Sequence, residues 1–146
     1  MAGERGWNGN DFVVPTGGFF KGDKSVQISV VDPATALATG DGKFYFLIDS
    51  TLNGYKLTSV LASVITAGTT NTLDIQIANV TDAVDILSTK LTVDSTETSS
   101  LTAATPAVIN AANANVSTMD LLRIDIDAIH AVPTQGLIVV LLFSPV

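Results

Sequence analysis

The chain has 146 residues, long enough to bury one hydrophobic core but hardly two, and its make-up of 47% hydrophobic against 14% charged residues excludes a chain that is disordered throughout. Seven Lys+Arg against fourteen Asp+Glu leave a net charge of -7, which speaks against a nucleic-acid or anionic-membrane partner. With no cysteine, disulfide scaffolds, thiolate metal sites and cysteine nucleophiles are ruled out together.

In chain order, residues 1–24 read as an N-terminal arm. Six of the eleven glycines lie within the first 22 residues, so ordering this backbone is entropically costly. Yet Trp7, Phe12, Phe19 and Phe20 are four of only nine aromatics, with Val13-Val14-Pro15 beside them. Aromatics are costly to leave in water, so the arm is expected to dock. Its target is either its own domain, as a short strand under the core, or a neighbouring subunit or other protein.

Residues 25–146 read as one β-domain. Val26, Ile28 and Val30 alternate with Gln27 and Ser29, the period-two pattern of a half-buried strand. Phe44, Phe46 and Ile48 follow an Asp41-Gly42 turn signal, and Asn53-Gly54 marks a second turn. Tyr55 to Thr66 is long and changes phase near Ser59, which predicts a β-bulge or a sandwich corner. Leu73, Ile75 and Ile77 share one face. Asp82 to Leu87 and Leu91 to Val93 are short strand candidates. Residues 95–120, rich in Ser, Thr, Ala and Asn, predict a long connection with one helical turn between Ala103 and Ala114.

Leu122, Ile124 and Ile126 form an inward face opposite Arg123, Asp125 and Asp127. Leu137 to Phe143 is apolar on both faces, so it is either central in a covered sheet or part of a subunit interface, with Leu137, Val139, Leu141 and Phe143 as the interface residues. That run also predicts an oligomer, because an open apolar edge invites association. It is far shorter than the roughly 20 residues that span a bilayer, and no basic region precedes an apolar leader, so a soluble, unprocessed protein is expected. Many short strands with Gly, Asn and Asp turns define the fold class as all-β, a β-sandwich or jelly roll with an N-terminal arm.

Chemistry-bearing residues are sparse. His130, the sole histidine, has no G-x-S-x-G partner motif and reads as a loop or rim residue. Asp125 and Asp127, two apart on a strand, have the spacing of a carboxylate pair or metal site, but with Arg123 on the same face a solvated ion pair is the simpler reading. Asp82 and Asp85 read as turn carboxylates bonding local backbone. Gly17-Gly18 lacks the Gly-Lys-Ser of a phosphate cradle, and Asn79-Val80-Thr81 and Asn115-Val116-Ser117 match the glycosylation pattern without a leader to make use of it. No enzyme activity, cofactor or metal is expected.

Gly42-Lys43-Phe44-Tyr45-Phe46, Leu52-Asn53-Gly54-Tyr55-Lys56-Leu57, Ile75-Gln76-Ile77-Ala78-Asn79-Val80-Thr81-Asp82, Asp120-Leu121-Leu122-Arg123-Ile124-Asp125-Ile126-Asp127 and Gly136-Leu137-Ile138-Val139-Val140 together resemble small β-sandwich virion proteins of tailed bacteriophages. The resemblance covers roughly residues 40–146 and leaves the arm outside. It implies a structural role in a virion assembled in the host cytoplasm, frequently as a homotrimer. Of the two forms it implies, a capsid decoration (cement) protein would bind the major capsid protein or another virion protein through the arm and one sandwich edge. The other is a receptor-binding fibre tip, whose loops would meet a host glycan or protein.

Overall fold

The alternating apolar pattern that begins at Ser25 builds two sheets that bury their inward faces against each other. The structure is a computed structural model and describes residues 6–8, 11–13 and 21–146, with side chains from residue 21 onward. The strands in chain order are β1 (Gly6–Asn8), β2 (Asp11–Val13), β3 (Lys24–Ala36), β4 (Gly40–Leu47), β5 (Tyr55–Thr66), β6 (Leu73–Asn79), β7 (Val84–Asp85), β8 (Leu87–Thr89), β9 (Leu91–Val93), β10 (Val108–Ile109), β11 (Asn115–Val116), β12 (Leu121–Ala128) and β13 (Gln135–Pro145). One sheet has the order β11-β5-β13-β3 and the other β4-β12-β6-β7, with β9 also pairing β6; β1 pairs β2, and β8 pairs β10. All these pairings are antiparallel. The fold is an all-β sandwich.

Between the sheets, Leu73, Ile75, Ile77, Leu122, Ile124 and Ile126 meet Leu57, Val64, Leu137, Val139, Leu141 and Phe143, all of them buried. Phe46 of one sheet stacks on Phe143 of the other with ring centroids 6.4 Å apart. Full burial of one such side chain contributes about 1.5–3 kcal/mol.

The phase change in β5 is a bulge. Leu142 pairs with Ser59 but Phe143 with Leu57, so Thr58 is the extra residue and Leu57 and Val60 both face inward. The Asp41-Gly42 signal is also a bulge rather than a turn between strands: the β12 register steps from Ile124↔Phe44 to Ile126↔Gly40, leaving three β4 residues opposite Asp125 alone. Gly42 sits there at φ +68, a backbone conformation that favours glycine.

The long connection holds a 3-10 turn at Ser100–Thr102, with the Ser99 hydroxyl accepting from Leu101 N–H, and then β10 and β11. The helical turn expected between Ala103 and Ala114 is thus replaced; Asn110 Oδ1 instead accepts Ala112 N–H and closes a local turn. Lys24, assigned to the arm by sequence, already pairs with Phe143. In the arm, the β1–β2 register sets Trp7 opposite Phe12. Phe19 and Phe20, and the docking expected of the arm, lie outside the described residues.

Candidate interaction surface

Because β13 runs down the middle of its sheet, its two faces meet different surroundings. Leu137, Val139, Leu141 and Phe143, expected at a subunit interface, are 0% exposed inside the chain's own core and cannot touch a second molecule. The apolar run is explained by the first of the two readings, a central strand whose inward residues face the opposite sheet. Its outward residues, Ile138, Val140 and Leu142, are half-buried. On β5 they are flanked by Ser59, Leu61, Ser63 and Ile65, and on β3 by Ser25, Gln27 and Ser29, as the register sets them. Leu61 is 38% and Ile65 52% exposed. The result is a charge-free apolar band edged by serines. The sequence held the signal for it, since period two assigns one alternate set to each face, but only the pairing shows which set is covered.

The outer face of the other sheet is charged. Asp125 is 3% exposed and accepts three charge-matched or backbone bonds: Gly42 N–H at 2.7 Å on Oδ1, and Arg123 Nε and Nη2 at 3.0 and 2.8 Å on Oδ2. Arg123 Nη2 also lies 3.3 Å from Asp41. Bonding to Asp125 raises the Arg123 pKa above its ordinary value. The same-strand ion pair read from sequence is present, but its carboxylate is buried rather than solvated, and it staples the β4 bulge to β12. Asp127 turns instead to Lys90 at 2.8 Å, which raises the lysine pKa, so Asp125 and Asp127 do not act as a pair. No group of three or more His, Cys, Asp or Glu that could hold a metal occurs among the described residues.

His130 is not a rim residue. It is 1% exposed, with Nδ1 3.0 Å from the Thr134 hydroxyl and Nε2 without a hydrogen-bond partner among the described residues. Gly68 packs closely against it, and a Cβ there would come within 2.4 Å of the ring's Cγ. Asn79, fully buried, is a polar hub missed by sequence: Oδ1 accepts Thr81 and Asp82 N–H, while Nδ2 donates to Asp82 at 3.0 Å and Asp120 at 3.1 Å. Asp82 therefore bonds a side chain rather than the local backbone assigned to it. Burial also removes Asn79 as a glycosylation acceptor.

No family model matches the chain, and comparison with curated proteins and with solved structures gave no match. No described helix is long and apolar enough to cross a membrane.

Proposed function

We propose that the chain is a non-enzymatic structural protein of a tailed-phage virion, a capsid decoration (cement) protein that self-associates, as a homotrimer, and binds and stabilises the head. The observation that carries the reading is the outer face of the β11-β5-β13-β3 sheet. On a chain of net charge -7, copies repel wherever their acidic surfaces meet. The band of Leu61, Ile65, Ile138, Val140 and Leu142 bears no charge, so a second copy can cover it without burying unpaired carboxylates. The all-β sandwich and the resemblance of its sequence to small phage virion proteins add to this support, and Trp7, Phe12, Phe19 and Phe20 of the arm are assigned to docking on a neighbouring subunit, the major capsid protein or another virion protein.

Co-sedimentation of the purified chain with heads of the phage that encodes it tests the reading, with intact host cells as the parallel arm. Binding to heads, lost on deletion of residues 1–22 while the circular dichroism stays that of a β protein, is the expected result. Binding to cells and not to heads favours the receptor-binding reading. A particle of 15.1 kDa by light scattering, together with binding to neither, overturns the proposal.

A further inference from the structure

The sheet edge beside β5 is covered only in part. At one end Leu57 N–H donates to Ala114 O at 2.8 Å. At the other, Ala62 N–H donates to the Ser100 hydroxyl at 2.9 Å and Val64 N–H to Thr98 O at 3.0 Å. Alternate residues of a strand send their backbone groups to the same side. Val60 therefore turns its N–H and C=O toward this edge as Ala62 and Val64 do, and no hydrogen bond to either group is found among the described residues.

A groove opens at that gap, walled by Leu61, Leu101, Pro106 and Val108 over a floor of Val60 and Ile109. Leu101 is 76% and Val108 50% exposed, and among the described residues no charged side chain lines the groove. Leu61 belongs both to this groove and to the apolar band on the outer face, so the two surfaces are continuous. A free backbone donor and acceptor beside apolar walls call for an extended segment that brings its own backbone groups and a large apolar side chain.

We propose that the groove takes the N-terminal segment of a second copy of this chain. This rests on the self-association part of the reading above and not on the virion. Residues 12–20, Phe-Val-Val-Pro-Thr-Gly-Gly-Phe-Phe, carry no charge and three phenylalanines, which matches an uncharged apolar groove. The described domain begins at Lys21, whose ammonium lies 6.0 Å from the ring centroid of Tyr55 at the start of β5, the strand beside the groove. Because the groove is continuous with the outer band that a second copy is proposed to cover, the segment that fills it is assigned to that copy.

The test uses the full chain with the photo-cross-linker p-benzoylphenylalanine at position 101, mixed as isotopically heavy and light protein and read by mass spectrometry, alongside native mass spectrometry of wild type, Leu101→Asp and Val108→Asp. Both substitutions fall on exposed side chains, and unchanged circular dichroism and melting confirm that the domain stays folded. Cross-links from position 101 to residues 1–20 that join heavy to light chains are expected. So is a weakening of subunit association in each variant by roughly thirtyfold, the effect of losing a buried apolar anchor at an interface. A wild-type chain that is monomeric at every concentration overturns both this inference and the self-association reading. An oligomer whose cross-links stay within one chain, reach other segments or are absent overturns this inference alone.

Discussion

Leu141 and Leu142 are neighbours of one type on one strand and face opposite ways. Leu141 is 0% exposed between the sheets, whereas Leu142 is half-buried on the outer band. Replacing Leu141 by Ala removes three carbons from a packed core, about 2.4 kcal/mol of transfer free energy at about 0.8 kcal/mol per methylene. The cavity left among Val60, Val139 and their neighbours adds to it, for a total near 3–4 kcal/mol. Leu142→Ala removes the same atoms from a site already half in water and should cost the monomer about 1 kcal/mol or less. Urea titrations of both variants, repeated across protein concentrations, measure the contrast: a large fall in midpoint with unchanged slope for Leu141→Ala and a small one for Leu142→Ala. If the cost of Leu142→Ala grows with protein concentration, the outer band is covered by another copy. Equal costs at the lowest concentration would refute the assignment of the two faces.

Gly68→Ala drives a methyl into the His130 ring and should destabilise by about 1–3 kcal/mol, seen as a lower melting temperature, while an Ala at the open Gly54 position tests backbone strain without a clash. Arg123→Ala leaves the buried Asp125 carboxylate with Gly42 N–H as its remaining partner and should cost about 1–3 kcal/mol, whereas the double replacement Arg123→Met/Asp125→Leu should be much closer to neutral; chemical denaturation compares them. The Asp49 carboxyl is held below its ordinary value by the Thr51 hydroxyl and backbone N–H, so its contribution is present above the unfolded pKa and is lost as pH falls through the lower folded one. Lys90 is raised by Asp127, so its contribution is present below the unfolded lysine pKa and is lost as pH rises through the higher folded one. Both groups are solvent-facing, so melting curves across pH should show small declines at the acid and alkaline ends, the first absent in Asp49→Ala and the second in Lys90→Met.

The inward face of the sandwich was legible in the sequence because a strand's side chains alternate: Leu73, Ile75, Ile77, Leu122, Ile124 and Ile126 are all buried as their spacing requires. The β5 bulge was legible for the same reason, as a slip of that period at Ser59. What alternation leaves open is which strands are neighbours. Leu137 to Phe143 looked two-faced because its apolar pattern is the same for a central strand and for an interface, and only the β5 and β3 pairings separate the two. Asp41-Gly42 was misread because positive φ serves a bulge as well as a turn. Asn79 continues the inward set of Leu73, Ile75 and Ile77, but a polar residue there gives no apolar signal, and His130 lies beyond β12 where Gly68 and Thr134 of neighbouring loops bury it. The groove beside β5 depends on a gap between two covering segments of the long connection, Thr98 to Ser100 and Ala114 to Val116, whose seating on β5 no periodic pattern announces.

The place of β13 also bears on how the protein is made. Its residues 135–145 lie between β3 and β5, strands that are not joined to each other in the sheet, so the two halves of that layer stay apart until β13 has been synthesised. A ribosome adding about 5–20 residues per second holds β3 and β5 with bare edges for several seconds before β13 can close them. Pairings this distant are slow to form in any case. The serines along Ser25, Ser29, Ser59 and Ser63 line those waiting edges with polar groups, which should lower the tendency of nascent chains on neighbouring ribosomes to zip together before each receives its own β13.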